Sequence, residues 1–507
     1  MSIFKDSSSK KHIPGTTDGF FFGAPEAEAE KKYEEINNVS FFDDYFEVID
    51  EISSNKFIIS GRKGTGKSAV VKYILDNKKE DETYADVVLP KDYVLYKSAI
   101  ETEDGVLITA TMIWEWIVLT RFVKMILGTK ANRYYREYKP LELFWKNNSC
   151  FLEIEKFDIK EIVKSKNNQI SIGPLKKVFA AQYSDLIDYR MIHAPFYKLI
   201  PALKDIVKRI LSMEIFKEIE YILMFDDLDI DFNINNENDK MILMELIRLA
   251  KEYNTSVFHQ TKGKILIFIR DDVSHKMQTV ATDTSKVFGS YEYPLRWYTH
   301  EIGDDDYKNN RIMQFVNRRL QINFETLNIP YDKDNPWNSF IEHNWDIYEK
   351  SPFRYFLDFT FYRPRDFINM FKDLGSKRYQ LPLSPANAKT ILREYTRTNY
   401  TEISNELKIM FSEGEINNIK CVLKCIADEA PVSYNRVLEL LRINHLDNSV
   451  INSLVEYNLL IPQDDNRNQF FSYREMAIDE SLENYKYALP KSVYAYYKPW
   501  TILPRVS

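Results

Sequence analysis

Hydrophobic residues along the chain form short uninterrupted runs that alternate with longer stretches of helical spacing. The short runs predict buried strands at residues 58–60, 84–89, 221–225 and 264–269. The amphipathic stretches between and around them predict helices at residues 69–75, 108–127, 194–213 and 239–253. A further strand at residues 291–297 contains Pro294, which predicts an edge position. This alternation predicts an α/β fold with a doubly wound parallel sheet and helices on both faces.

The pattern changes after about residue 300 and becomes mainly helical. Residues 301–412 predict a helical lid domain, and residues 413–487 predict three helices and a β-hairpin formed by 459–462 and 470–473, as in a winged helix. The remaining predicted boundaries are a flexible tail at 1–19, an α/β domain at 20–300, a polar insertion at about 130–190 and a C-terminal extension at 488–507.

Composition narrows the class of protein. A chain of 507 residues is too long for one core, and a hydrophobic content of 44% predicts ordered globular domains. The net charge of −7 argues weakly against a general nucleic-acid coat. Three cysteines are a sparse, odd set that favours a reduced compartment. With neither a signal-peptide pattern nor an apolar run of membrane-spanning length, we expect a cytoplasmic protein without membrane contact.

The most specific motif lies between the first strand and the helix that follows it. It has the spacing G-x-x-x-x-G-K-S, whose glycines allow the backbone to wrap around a polyphosphate at a helix N-terminus. Lys67 is expected to reach the β- and γ-phosphates, and the Ser68 hydroxyl to bind Mg²⁺. The alternative is a glycine-rich turn without function. The predicted nucleotide-binding residues are Gly61, Arg62, Lys63, Gly64, Thr65, Gly66, Lys67, Ser68 and Ala69.

Charged residues follow two other predicted strands. Asp226 and Asp227 follow the strand at 221–225, where Asp226 is expected to hold Mg²⁺ through water and Asp227 to polarise the attacking water. An acidic turn without function is the alternative. Arg270 follows the strand at 264–269 and is expected either to sense the γ-phosphate or to pair with Asp271, Asp272 or a lid carboxylate.

The predicted lid contains a further basic pair. Pro364 in the first turn of a helix places Arg363 and Arg365 near its N-terminus. From there either guanidinium group is able to reach a nucleotide. Arg363 and Arg365 are therefore candidates for contact with the nucleotide.

Four motifs together, GRKGTGKS, FDDLD, IFIRDD and YRPRD, resemble those of bacterial signalling P-loop ATPases. The resemblance lies between the STAND/KAP type and the origin-recognition branch of the AAA+ ATPases, which combine an α/β domain, a helical lid and a winged helix. It implies ATP as the nucleotide. It also implies a Walker A pair (Lys67 and Ser68), a Walker B pair (Asp226 and Asp227), a sensor-1 residue (Arg270), a sensor-2 residue (Arg365) and a nucleotide-contacting lid proline (Pro364).

The sequence departs from this pattern at two points. Asp227 stands where many AAA+ enzymes carry Glu, and its shorter side chain predicts slow, switch-like hydrolysis. No arginine finger from a neighbouring subunit is identified, and the candidates are Arg296, Arg311, Arg318 and Arg319.

These observations predict a cytosolic ATPase switch that binds ATP and Mg²⁺, with Arg270 and Arg365 reporting the γ-phosphate. The resemblance implies a protein partner or effector, a homo-oligomer and a role in anti-phage defence. A DNA-associated loader or remodeller is the alternative, but residues 447–458 in the predicted third helix of the winged helix contain neither Lys nor Arg. A small-molecule kinase is a third possibility, but the sequence does not indicate a pocket for a phosphate acceptor.

Overall fold

The computed structural model describes residues 13–25, 27–89, 100–101, 107–129, 138–148, 170–171, 175, 193–228, 236–278, 282–298, 310–343, 351–408, 410–466, 469, 471 and 482–501. The described chain forms two compact units. The sheet unit consists of Phe46–Lys63 and Lys67–Leu295. The helical unit contains the residues up to Tyr45, the loop tip Gly64–Gly66 and the residues from Arg296 onward. Most of the predicted insertion at 130–190 lies outside the described residues.

The sheet unit is built on five parallel strands in the order β2-β7-β8-β1-β9. These strands are β1 (Ile58–Ser60), β2 (Thr83–Val88), β7 (Glu220–Phe225), β8 (Gly263–Ile269) and β9 (Glu292–Pro294). Two antiparallel pairs join β3 (Ile100–Glu101) to β4 (Leu107–Ile108) and β5 (Ile170–Ser171) to β6 (His193–Ala194). The predicted parallel α/β sheet is confirmed, and β9, which contains Pro294, lies at its edge.

Helices connect the parallel strands. In the sheet unit they are α2 (Val48–Ser54), α3 (Lys67–Asp76), α4 (Ala110–Gly128), α5 (Tyr138–Asn147), α6 (Phe196–Leu211), α7 (Glu214–Lys217), α8 (Glu237–Glu252), α9 (Asp271–Gln278) and α10 (Thr282–Tyr291). A π-helical turn, Tyr253–Val257, extends α8. Asn254 in this turn bonds both backbone groups of Ile265 in β8, at 2.9 Å and 2.8 Å, and so fixes the end of the helix to the sheet.

The strand order defines where the connections change direction. The chain leaves β1 toward β2 at one edge of the sheet, whereas it leaves β8 toward β9 at the other edge. Since crossover connections are right-handed, these two cross opposite faces of the sheet. The change of direction therefore lies between β1 and β8, and a crevice forms beside the carboxyl ends of such strands.

The burial of these strands in the core of the sheet unit explains why the sequence predicts them. Ile58 and Ile59 of β1 are fully buried, as are the central residues of β7 and β8. Strands covered on both faces have no polar side to present, so their sequences become continuous apolar runs. Trp114 of α4 packs edge-on against Phe225 of β7, and its indole N–H donates to the Ile242 carbonyl at 3.0 Å.

The helical unit begins with α1 (Ala27–Asn37) and continues with a series of helices after residue 310. These are α11 (Arg311–Thr326), α12 (Pro336–Phe340), α13 (Pro352–Leu357), α14 (Pro364–Phe371), α15 (Leu374–Lys377) and α16 (Pro385–Leu407). Ser384 caps α16, and Pro385 occupies its first turn, where a missing N–H costs nothing. A C-terminal helical domain is confirmed.

The N-terminal residues differ from the predicted flexible tail over the part that the structure describes. Thr17 is fully buried, and its hydroxyl donates to the Leu374 carbonyl at 2.7 Å. Its backbone N–H donates to the Tyr379 carbonyl at 2.8 Å. Phe20 and Phe22 are also buried. Residues 13–25 are therefore an ordered part of the helical unit, and the partners of Thr17 lie more than 300 residues away along the chain.

The end of the helical unit contains the C-terminal module, which we define as residues 412–497. Its helices are α17 (Glu413–Glu429), α18 (Tyr434–Ile443), α19 (Val450–Glu456) and α20 (Lys491–Tyr497). Its antiparallel sheet has the order β10 (Val432–Ser433), β12 (Lys486–Ala488) and β11 (Ile461–Gln463). Ser412 and Glu415 form a reciprocal capping box that begins α17.

The three predicted helices of this module are present, and Gln463 at the end of β11 forms an isolated antiparallel bridge with Gln469. β11 pairs with β12, so the module extends past residue 487, and α20 packs on it through Val493. Of the other predicted hairpin strand, 470–473, only residue 471 lies among the described residues. Identification as a winged helix stays a prediction.

Two further findings concern the surface. Cys421 is exposed and Cys425 is half-buried, and both are free thiols. Among the described helices, none has both the length and the apolar character that crossing a bilayer requires.

Candidate functional site

The loop after β1 has the conformation that its glycines permit. Gly64 has φ +86° and Gly66 has φ +100°, a region that residues with a Cβ atom rarely adopt. The Gly61 N–H donates to the Ile269 carbonyl at 3.2 Å, which joins the start of the loop to the end of β8. Helix α3 begins directly after the loop, at Lys67. The chain thus runs from strand through a glycine turn to a helix N-terminus, as predicted.

Lys67 crosses back over its own loop. Its Nζ atom donates to the Gly61 carbonyl at 2.6 Å and to the Arg62 carbonyl at 3.3 Å. Arg62 and Lys63 are half-buried at the start of the loop, and Ala69 is half-buried in the first turn of α3. The ammonium group therefore lies over the loop itself, and the N-terminus of α3 adds positive potential there.

Asp226 lies at the carboxyl end of β7, and it is only 4% exposed. Its carboxylate accepts a hydrogen bond from the Ser68 hydroxyl and another from the Asp227 backbone N–H. Burial raises the pKa of Asp226, as does the neighbouring Asp227 charge, whereas the Ser68 bond and Lys67 lower it, and the net shift is upward. Two hard oxygen donors from β7 and α3 are thus adjacent, which is the donor chemistry that Mg²⁺ prefers.

Asp227 adopts a strained backbone conformation. Its φ is +57°, in the left-handed region that costs a non-glycine residue about 1–2 kcal/mol. Its side chain is half-buried, unlike that of Asp226. Strain of this kind persists only where surrounding contacts hold it, and it concentrates at functional sites. The two acids therefore differ in environment although they are consecutive in sequence.

Arg270 follows β8, the strand between β1 and β7. It is 5% exposed, and its guanidinium group forms two bonds to Asp272, from Nε to Oδ1 at 3.0 Å and from Nη2 to Oδ2 at 2.6 Å. Of the two predictions for Arg270, pairing with a following acid is the one that the structure contains. The sheet order nevertheless places Arg270 between the strands that carry Gly61 and Asp226.

The lid residues of the helical unit divide into two groups. Arg363 is 2% exposed, and its guanidinium group pairs with Asp366 at 2.8 Å and with Glu406 at 3.3 Å. Burial opposes its charge, but the two carboxylates outweigh this effect and raise its pKa. The donors of Arg363 thus bind buried carboxylates in this structure, and its contact with a nucleotide stays a prediction. Pro364 is likewise buried, at the start of α14.

Arg365 is the basic residue that reaches the loop tip. Its backbone N–H donates to the Gly64 carbonyl at 3.4 Å, and its Nη2 donates to the Pro25 carbonyl at 3.4 Å. A Cβ atom placed on Gly64 would lie 2.8 Å from the Arg365 Cβ, so close contact as well as conformation demands glycine. Both residues belong to the helical unit.

Trp297 is a loop contact that sequence reasoning missed. Its indole N–H donates to the carbonyl of Thr65, which is itself 5% exposed, at 2.8 Å. The signal available in the sequence was a Trp that follows an edge strand, which is too common to indicate a contact. Trp297 and Arg365 thus hold two consecutive residues of the loop tip within the helical unit.

The arginine-finger candidates lie among the described residues. Arg319 is buried, pairs with Glu30 at 2.8 Å and lies between the rings of Phe41 and Phe315. Arg318 donates to the Ser40 carbonyl at 3.3 Å, and Arg311 donates to the Arg296 carbonyl at 3.2 Å. Arg319 is therefore unsuited to reach a neighbouring subunit.

Comparison with known proteins gives one family match. Residues 310–381 match the family described as FunZ-associated C-terminal helical domain. This range runs from the residue before α11 to just beyond α15, within the helical unit. No curated protein matches the chain.

Proposed function

We propose that the chain binds ATP with Mg²⁺ and hydrolyses it slowly, as a nucleotide-dependent conformational switch of the P-loop ATPase type. The observation that carries this proposal is the hydrogen bond between Ser68 and Asp226. It joins the hydroxyl that follows the loop lysine to the acid at the end of β7. Similar apolar strands and acidic turns occur without function, but their meeting at one hydroxyl next to Lys67 supports a phosphate and magnesium site.

The position of each residue determines the role that we propose for it. Lys67 and the backbone N–H groups at the start of α3 bind phosphate oxygens, because they combine positive charge with oriented donors. Ser68 and Asp226 hold Mg²⁺, which when bound neutralises charge that develops on the phosphate groups. Asp227, half-buried and strained, accepts a proton from the attacking water.

Arg270 and Arg365 respond to the nucleotide in this proposal. Arg270 is held by Asp272 and exchanges that carboxylate for phosphate oxygen, which is the same type of planar recognition. Arg365 is assigned a role because its backbone N–H contacts Gly64 in the loop tip.

The alternative DNA-associated function has less support. Helix α19, which would enter the groove of DNA in a winged helix, has the sequence VINSLVE and carries no basic residue. DNA affinity depends mainly on neutralising phosphate charge, and this helix supplies none.

The proposal is tested by phosphate release from purified protein with ATP and Mg²⁺, with molecular mass measured by light scattering in the same samples. We expect slow release that is lost in Asp227→Asn but retained in the matched control Asp205→Asn on α6. A nucleotide-dependent change in mass would indicate assembly. Equal release by wild type and Asp227→Asn would overturn the assigned role of Asp227.

A further inference from the structure

Residues 361–365 connect three parts of the helical unit through the alternate residues Phe361, Arg363 and Arg365. Phe361 is 3% exposed and belongs to the core of the C-terminal module, together with Ile416 and Leu407. Arg363 lies in the buried pair with Glu406. Arg365 contacts Gly64 of the loop tip. Five consecutive residues therefore join the loop tip to the C-terminal module without any flexible spacer.

Asp366 fixes the shape of this segment. Its carboxylate accepts hydrogen bonds from the backbone N–H groups of Phe361, at 2.8 Å, and Arg363, at 3.3 Å. It also binds the Arg363 guanidinium group at 2.8 Å. Because all three bonds end on one carboxylate, Phe361 and Arg363 cannot move independently of each other.

Tyr362 shows that the segment is held against local strain. Its φ is +55°, although it is a bulky residue for which this conformation is unfavourable. Its backbone N–H donates to the Thr360 hydroxyl at 3.2 Å, and its ring packs edge-on against Tyr298. A conformation of this cost is maintained only where the surrounding contacts determine it.

Glu406 is the connection to the C-terminal module. It lies in the last turn of α16, 7% exposed, and the next residue, Leu407, is part of the module's core. Arg363 thus contacts the last turn of α16, and α17 begins a few residues later.

We propose that the Arg363–Glu406 pair is a positioning element that transmits the nucleotide state sensed at Gly64 and Arg365 to the C-terminal module. This inference rests on the proposed function, since it needs ATP at the loop. It assigns Arg363 a role that requires no contact with nucleotide. Glu406 and Phe361 become residues that affect the response of the module while leaving nucleotide binding intact.

The test compares wild type, Glu406→Gln and the control Glu394→Gln by hydrogen–deuterium exchange with and without ATP and Mg²⁺. Glu406→Gln keeps the Arg363–Asp366 pair, so the buried arginine retains a counter-ion. Glu394 also lies on α16, but its pair with Lys377 is solvent-exposed. Glu406→Asp, which keeps the charge and withdraws the contact, is a second variant in case Glu406→Gln folds poorly. ATP affinity is measured for every variant.

We expect ATP to change protection in α17–α19 of wild type and Glu394→Gln. We expect Glu406→Gln to bind ATP within about twofold of wild type and to lose most of that change. An undiminished change in both Glu406 variants, or no change in wild type that does bind ATP, would overturn the inference. Absence of ATP binding by wild type would overturn the proposed function, and this inference with it.

Discussion

The Ser68 hydroxyl donates a hydrogen bond to the carboxylate of Asp226, although the two residues are more than 150 positions apart in the chain. Ser68 begins the first turn of α3, and Asp226 ends β7, which is separated from β1 by β8. The bond exists because parallel strands deliver their carboxyl ends to one edge of the sheet. It joins the two motifs that separately indicated phosphate binding and metal binding.

Asp226→Asn is expected to stabilise the nucleotide-free protein. Burial raises the pKa of Asp226, so at neutral pH the folded state bears the cost of a buried charge. We therefore expect the melting temperature of the nucleotide-free protein to rise. Stabilisation by added ATP and Mg²⁺ should be lost. A lower melting temperature would contradict this account of Asp226.

The same substitution predicts a pH dependence of stability. The folded pKa of Asp226 lies above its unfolded value, so protonation stabilises the folded state. This contribution is fully present below the unfolded pKa and is lost as pH rises through the folded pKa. The advantage of Asp226→Asn over wild type should therefore vanish in acid and grow toward neutral pH. Urea unfolding at several pH values measures it, and a constant difference would contradict the prediction.

Two substitutions at Asp227 distinguish the effect of its backbone conformation on stability from the effect of its carboxylate on catalysis. Asn tolerates the left-handed conformation, so Asp227→Asn should unfold at nearly the same urea concentration as wild type. Asp227→Ala should lose about 1 kcal/mol, because alanine bears the full steric cost of this conformation. Both should abolish phosphate release. Equal stability of the two variants would argue against strain at this residue.

Gly64→Ala tests the fit of the loop tip. An added Cβ atom would be strained at φ +86° and would lie 2.8 Å from the Arg365 Cβ. We expect a loss of about 1–3 kcal/mol in stability and a weaker affinity for ATP. Gly414→Ala is the matched control, since Gly414 lies in α17 with open space around it and should gain about 0.5–1 kcal/mol. Similar effects of both changes on urea unfolding would refute the contact.

Arg363→Met tests the structural assignment of that arginine. Removing it leaves the carboxylates of Asp366 and Glu406 buried without their cation, at a cost of about 3–5 kcal/mol. Lys377→Met removes an exposed cation from Glu394 and should leave the free energy of unfolding almost unchanged. A stable Arg363→Met variant with impaired ATP binding would instead support the prediction that Arg363 contacts the nucleotide.

The sequence allowed the sheet to be predicted because its signals are local. Each of the strands β1, β7 and β8 is a continuous apolar run, and the loop glycines are required by backbone conformation. The errors concern residues whose partners are distant in sequence. Arg363 and Arg365 looked equivalent, but Arg363 pairs in the core with Asp366 and with Glu406, which lies 43 residues later. Thr17 looked like part of a tail because its partner Leu374 is 357 residues away.

The central claim is nucleotide binding at the loop, and equilibrium titration of ATP with Mg²⁺ tests it most directly. Wild type is compared with Lys67→Ala and with Lys79→Ala, whose exposed ammonium group pairs only loosely with Glu82. A lost charge-assisted bond of about 1.5–3 kcal/mol predicts affinity at least tenfold weaker in Lys67→Ala, and unchanged affinity in Lys79→Ala. Binding by Lys67→Ala as tight as that of wild type, or no binding by wild type, would contradict the account.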